Sequence, residues 1–330
     1  GLFGWIVLAA CAPEGGSEVD ADVDSSRAVD DSIFGVTAAQ DHDPADDVVE
    51  VHFRASVTEQ SYIDAGPATV WAYNEQIPGP LVEATVGDLV RVVFTNDLKE
   101  STTIHWHGLR IDNEMDGVPA VQDPVAPGET FTYEFVVPDA GTYWYHPHVR
   151  GHEQVERGLY GPLVVHEAED IVVDRDRYFV LDDVALRDNG KLYAFSTGGM
   201  DGMHGRHGNV LLVNGQTETL TDTVRPGAVE RWRIVNTANA RLMYADVVGA
   251  DWRVVGVDGG LLEEPYTVDE LRLPVGRRFD LEVIPKEGRD VVKLRVLVPT
   301  SAGFDKFPMF EATIEGELAG TTSPEWPAAL

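Results

Sequence analysis

The sequence predicts an all-β chain folded as two tandem Greek-key β-sandwiches. Three observations carry that expectation. From Val48 onward, short runs alternate apolar with polar residues, as at Val90, Val92 and Phe94 or in Tyr133-Glu134-Phe135-Val136-Val137, the period-2 signature of a half-buried strand. Pro and Gly punctuate these runs at Ile77-Pro78-Gly79-Pro80, Ala126-Pro127-Gly128 and Val137-Pro138, and no long amphipathic helix interrupts them, the pattern of a sandwich. The second half also repeats the first. Gly87 is followed by Asn96 and Gly227 by Asn236, each nine residues on; Gly128 is followed by Phe131 and Phe135, and Gly276 by Phe279 and Val283, at equal spacings. Two matched anchors in the same order predict a duplication offset by about 140 to 150 residues.

Taken in order, the chain opens Gly1-Leu2-Phe3-Gly4-Trp5-Ile6-Val7-Leu8-Ala9-Ala10-Cys11, with no initiator Met and no basic lead. Residues 1–11 read as the end of a signal-peptide apolar region, too short to span a bilayer. Leu8-Ala9-Ala10-Cys11 resembles a bacterial lipobox, which predicts acylation of Cys11, a lipid anchor, and a secreted or cell-envelope location. Residues 12–47 are rich in Gly, Ser and acids such as Glu14, Glu18, Asp20, Asp22 and Asp24 and read as a disordered tether. The first sandwich is expected over 48–167, the second over 168–317, and a tail or linker over 318–330.

A length of 330 residues with 43% hydrophobic residues suits two domains with real cores. The net charge of −31 argues against nucleic acid or an anionic membrane surface as a partner. The single cysteine excludes a disulfide framework and a thiolate zinc site.

Chemistry concentrates in two stretches. In Thr103-Ile104-His105-Trp106-His107-Gly108, an extended strand puts His105 and His107 on one face, roughly 7 Å apart, with Ile104 and Trp106 on the other. In Gly141-Thr142-Tyr143-Trp144-Tyr145-His146-Pro147-His148, His146 and His148 share a face. With the two strands face to face, four imidazoles converge, a donor set that suits copper, zinc, iron or nickel. Trp106, Tyr143 and Tyr145 alternate with the histidines and read as core. His152, four residues past His148, reads as lying off the strand. The Gly-rich run Met200-Asp201-Gly202-Met203-His204-Gly205-Arg206-His207-Gly208 reads as an interdomain loop, or as an auxiliary copper-binding segment.

His105-Trp106-His107-Gly108-Leu109, Met115-Asp116-Gly117-Val118-Pro119, Gly141 to His148 and Gly158-Leu159-Tyr160-Gly161-Pro162-Leu163 together resemble a multicopper oxidase of the laccase-like type. In the second half, Val213-Asn214-Gly215, Arg233-Ile234-Val235-Asn236, Asp258-Gly259-Gly260 and Leu273-Pro274 resemble the middle cupredoxin domain of a three-domain member. The resemblance covers about residues 48 to 317 and implies that both sandwiches are cupredoxin-like. It implies that His105 binds the type 2 copper of a trinuclear cluster and that His107, His146 and His148 bind the type 3 pair. Asp116 matches a carboxylate that orients a bound water or supplies protons; it also reads simply as the turn residue before Gly117. Dioxygen and a phenolic, aromatic-amine or metal-ion reductant are the implied partners.

The family takes eight cluster histidines, and these motifs supply four. The rest come from a third cupredoxin domain carrying His-x-x-His-x-His and His-Cys-His, whose Cys also binds the type 1 copper. Neither motif occurs here. The chain is therefore expected to be the N-terminal part of a secreted oxidase, inactive by itself. A two-domain copper carrier of the cell envelope and a structural relative that keeps only the scaffold are the alternatives.

Overall fold

The computed structural model describes residues 36–169, 171–195, 205–301 and 303–326. The first half contains β1 (Val48–Gln60), β2 (Ala68–Tyr73), β3 (Val82–Thr85), β4 (Leu89–Asn96), β5 (His105–His107), β6 (Thr130–Val136), β7 (Gly141–His146) and β8 (Gly161–His166). Its two sheets have the orders β2-β1-β4-β6 and β3-β8-β7-β5. A 3-10 turn (Asn113–Met115) and a short helix α1 (Gly151–Glu156) are its only helical pieces among the described residues.

The second half contains β9 (Arg175–Val184), β10 (Val210–Val213), β11 (Leu220–Val224), β12 (Glu230–Asn236), β13 (Met243–Val248), β14 (Ala250–Val257), β15 (Leu261–Tyr266), β16 (Leu271–Leu273), β17 (Arg278–Pro285), β18 (Val291–Thr300) and β19 (Gly303–Ile314). Its sheets run β10-β9-β12-β17-β14-β15 and β11-β19-β18-β13-β16. Apart from three added strands, this is the first sandwich again. β1 and β4 pair in parallel, as do β9 and β12; β3 and β8 pair in parallel, as do β11 and β19.

The duplication holds at the level of register. Phe94 lies opposite Phe131 and Val90 opposite Phe135, while Ile234 lies opposite Phe279 and Glu230 opposite Val283. The alternation in β4 has the expected consequence: Val90, Val92 and Phe94 are buried against Phe53, Tyr133 and Trp106 in the first core. Trp232 and Ile234 do the same in the second, with Phe179 and Phe310.

A third apolar cluster draws on both halves, with Val70, Ala72, Ile77, Trp144 and Tyr160 from the first and Val180, Val184, Leu212 and Val235 from the second. This seam explains why every residue of β12 is buried. One face of β12 fills its own core, and the other presents Arg231 and Arg233 to the neighbouring sandwich. Their charges are met by Glu167 of the first half and by Asp176 and Asp280 of the flanking strands β9 and β17, as burial of a guanidinium requires.

Part of the expected tether departs from expectation. Leu81 N–H donates to the Thr37 carbonyl and Ala39 N–H to the Leu81 carbonyl, and Val36 is buried with Leu81, Val164 and Tyr178. The acid-rich composition of 12–47 hides this small apolar foothold at its end. Residues 12–35, like the lipobox stretch, lie outside the described residues.

Candidate metal centre

β5 and β7 bring the four histidines together. They are antiparallel neighbours in one sheet, with His105 opposite His146, His107 opposite Trp144 and Trp106 opposite Tyr145. The strands thus lie side by side in one sheet and not face to face. Directly opposed residues of an antiparallel pair share a face, so the imidazoles collect on one side. Trp106, Tyr143 and Tyr145 turn into the first core and are buried. His148 lies past the end of β7, tied back by its N–H, which donates to Thr103 Oγ1 at 3.1 Å.

The ring centroids of His105 and His148 are 4.5 Å apart, those of His146 and His148 5.2 Å, and those of His105 and His146 5.3 Å. His107 is 5.4 Å from His146 and 5.7 Å from His105. One ring nitrogen each from His105, His146 and His148 lies within 4.8 Å of the other two, close enough for one ion to draw them together.

The second nitrogen of each ring decides which one is free. His105 Nδ1 donates to the Asp116 carbonyl at 2.7 Å, leaving Nε2 for a ligand. His146 Nδ1 faces the Pro147 carbonyl at 3.1 Å, again freeing Nε2. His107 is turned the other way, with its Nδ1 3.2 Å from His146 Nε2. The cluster therefore mixes the two kinds of imidazole nitrogen.

Three of the rings are held toward the neutral form. Burial, reinforced by Arg278 and by the neighbouring His105, pushes His107 down to about 4. Burial and the charges of His105 and His107 hold His146 well below the ordinary imidazole value. Burial and His105 lower His148 against the pull of Asp116. A neutral imidazole is the form that binds a metal.

Asp116 reaches the site mainly through its backbone. Its carboxylate is 3.4 Å from His105 Nδ1, farther than its own carbonyl. The loop is placed by Gly117, where any side chain would collide with the Ile104 carbonyl. Gln122 fixes it from behind, accepting from Gly117 N–H and donating to the Tyr133 hydroxyl, while Ile104 N–H also donates to that hydroxyl.

Three contributors escaped the sequence reading. Trp144, on the ligand face, stacks on His146 at 4.1 Å and lies 5.0 Å from His107. Gly276 and Arg278 of the second sandwich reach the His107–Gly108 turn. Their only sequence signal was that Gly276 is a repeat anchor. His152 is on α1 and exposed, away from the cluster. Of the Met/His run, residues 200–204 lie outside the described residues, and His207 is exposed.

Four imidazoles with converging nitrogens and no thiolate fit copper chemistry, and comparison with known proteins points the same way. Two multicopper oxidase family models match residues 56–170 and 177–289. Multicopper oxidase MmcO of Mycobacterium tuberculosis is 31% identical, the match covering 98% of this chain and 71% of that protein. A copper resistance protein A homolog of Pseudomonas syringae pv. tomato is 30% identical over 69% of this chain, which spans only 46% of it. Among solved structures, a multi-copper oxidase from Pseudomonas thermotolerans superposes with a TM-score of 0.75 at 32% identity, covering 85% of this chain and 66% of that one. A Campylobacter jejuni metallo-oxidase gives 0.76 at 26% identity, with coverages of 88% and 62%.

Proposed function

The chain belongs to the multicopper oxidase family, laccase-like in type, and from that premise we propose that its four clustered histidines are one half of a trinuclear copper site. In this reading His105 holds the type 2 copper through Nε2, and His107, His146 and His148 hold the type 3 pair. The observation that carries it is the convergence of the four rings from two paired strands, with the outer nitrogens of His105 and His146 fixed by backbone carbonyls. Bound there, copper supplies reversible one-electron chemistry toward dioxygen.

The protein's own part is to hold the imidazoles oriented, and His107, His146 and His148 neutral, before any metal arrives. Asp116 adds a carboxylate at the rim, 28% exposed, able to orient a water or pass a proton to the cluster. Reduction of dioxygen to water takes four electrons, and their entry needs a type 1 centre built on a cysteine thiolate. The only cysteine of this sequence is Cys11. We therefore propose that a third cupredoxin domain completes the site, as part of an exported enzyme oxidising phenols, aromatic amines or metal ions. The alternative, a two-domain copper carrier, uses the same four ligands without electron entry.

The test is copper loading of the purified chain. The chain should take up copper, show no blue thiolate absorption and consume no oxygen with a phenol. Adding a separately expressed third domain should restore oxygen uptake, and His107→Ala with His148→Ala should abolish it. Turnover by the chain alone would refute the half-site assignment, and silence with the third domain present would favour the carrier. Export and acylation belong to the same proposal. Cys11→Ser should release the protein from the membrane fraction, and unchanged fractionation would remove the anchor from it.

A further inference from the structure

The second sandwich carries no histidine where the first has its pairs. In the equivalent sheet position, Tyr244 of β13 lies opposite Leu297 of β18. Yet this half reaches the cluster. The turn between β16 and β17 places Gly276 against the edge of the His107 ring, so that a β-carbon there would lie 3.3 Å from both Cε1 and Nε2 and 3.7 Å from Trp144 Cζ2. A β-carbon there would be a tighter contact than usual, and the His107 ring would have to give by a few tenths of an ångström. The backbone favours glycine as well: φ is +76°, a conformation that residues with a β-carbon rarely adopt.

Arg278, two residues on and buried, fastens the turn at three points. Nη1 donates to the Gly276 carbonyl at 3.0 Å, Nε donates to the Thr142 carbonyl of β7 at 2.9 Å, and Nη1 pairs with Asp258 Oδ1 at 3.3 Å. Its other terminal nitrogen, Nη2, occupies the space a side chain at Gly108 would need, directly after His107. The carbonyl of Asn236 accepts from Gly276 N–H at 2.8 Å and anchors the turn to β12. One turn of the second sandwich thus touches the His107 ring, the backbone after it, and the strand that carries Trp144 and His146.

We infer that Gly276 and Arg278 form a seat across the domain seam that fixes the His107 ring with Nδ1 turned into the cluster, making both of them positioning residues for a copper ligand. The inference rests on the reading of His107 as a ligand. Neither the His107 ring nor the His148 ring hydrogen-bonds to a backbone carbonyl or hydroxyl among the described residues, and of these two only His107 has the second sandwich packed against it. His105 and His146 have Asp116 and Pro147, and the His148 backbone has Thr103. The seat supplies by shape what those contacts supply by hydrogen bonding.

The experiment uses the full chain, 15N-labelled and metal-free, with the His107 ring signals assigned by their loss in His107→Ala. In the wild type these signals should report one fixed tautomer. In Gly276→Ala, and in Arg278→Lys, which keeps the charge but loses the fork of N–H donors, they should move toward the averaged shifts of a free imidazole. Cu(II) is then titrated and followed by its paramagnetic resonance. Both variants should bind copper about tenfold to a hundredfold more weakly, the range for lost outer partners of a ligand. They should also show one fewer coordinated nitrogen. Gly276→Ala should add nothing further in a His107→Ala background.

Variants that lower the melting temperature but keep the wild-type His107 signals and copper spectrum would show plain packing across the seam and overturn the inference. If Gly276→Ala does not fold, Arg278→Lys carries the same readouts. A wild-type chain that takes up no copper would overturn the copper reading instead, and the ring signals would still decide the seat.

Discussion

Thr142 Oγ1 donates to Asp280 Oδ1 at 2.5 Å, joining the strand that carries His146 to a strand of the other sandwich. Asp280 is buried and also receives Arg231 and Arg233 at 2.6 and 3.2 Å. Burial alone would raise its carboxyl; the two guanidinium groups hold it below the ordinary value. Removing one member of such a group strands the others without a counter-charge, which costs about 3–5 kcal/mol. Asp280→Ala should lower the unfolding free energy extrapolated from urea titration by that much, moving the midpoint without altering the slope if unfolding stays two-state. A loss under about 1 kcal/mol, at the scale of an exposed pair, would show that water screens the seam.

The carbonyl and the carboxylate of Asp116 can be separated. If the carbonyl orients His105, Asp116→Ala should leave copper affinity within a few-fold of wild type, because the backbone stays. Gly117→Ala should cost about tenfold to a hundredfold, because its new methyl collides with the Ile104 carbonyl and lifts the loop off His105. Isothermal titration with copper decides it. The reverse ranking would make the carboxylate the orienting group. Any loss of oxygen uptake in reconstituted Asp116→Ala at unchanged copper content would then report the proton-handling role by itself.

The depressed histidines give the metal-free chain a pH signature. Unfolded, His107 and His146 take up protons as pH falls past 6.5; folded, His107 resists to about 4, and His146 is also depressed. Between those values the unfolded chain binds more protons, so stability falls with falling pH. The His107 contribution is complete above pH 6.5 and lost by about pH 4. His146→Gln should flatten the dependence of the urea midpoint on pH across that window, relative to wild type. Parallel curves would mean that the rings protonate in the folded state.

The repeat was legible because it has a local cause. Asn96 donates its side-chain amide to the carbonyls of Glu100 and Val125 and accepts from Leu98 N–H. Asn236 donates to those of Arg241 and Leu273 and accepts from Ala238 N–H. Each asparagine closes the loop after its strand, and its carbonyl accepts from the repeat glycine, Gly128 or Gly276. A residue so fully used leaves a fixed spacing in the chain. The histidine pairs were legible for a similar reason, since alternation in a strand fixes their face.

What stayed hidden depends on contacts between distant residues. Which sheet holds β5 and β7, the carbonyl of Asp116 eleven residues from His105, and the approach of Gly276 to His107 follow from packing and leave no periodicity. The second half has no histidine where the first has its pairs, and the contact that matters there is made by a residue with no side chain.

Trp144 lies on the ligand face and stacks on His146. Its ring is buried, and its indole N–H has no hydrogen-bond partner among the described residues, an arrangement that costs about 1–3 kcal/mol. The aromatic plane and the N–H can therefore be weighed separately. Trp144→Phe keeps an aromatic surface beside His146 and removes the unpartnered donor, against the loss of some buried area. Stability should fall less than in Trp144→Ala, because only part of the ring volume is lost, and copper affinity should hold. Trp144→Ala empties the seam between Val70, Tyr160 and Val180 and should cost about 3–5 kcal/mol. It also frees one face of His146, so copper should bind more weakly even at temperatures where the variant is fully folded. Thermal melts and copper titration on both variants separate the effects. Should Trp144→Phe lose copper as severely as Trp144→Ala, the indole N–H has a partner in the loaded site, and the stacked plane is not what holds His146.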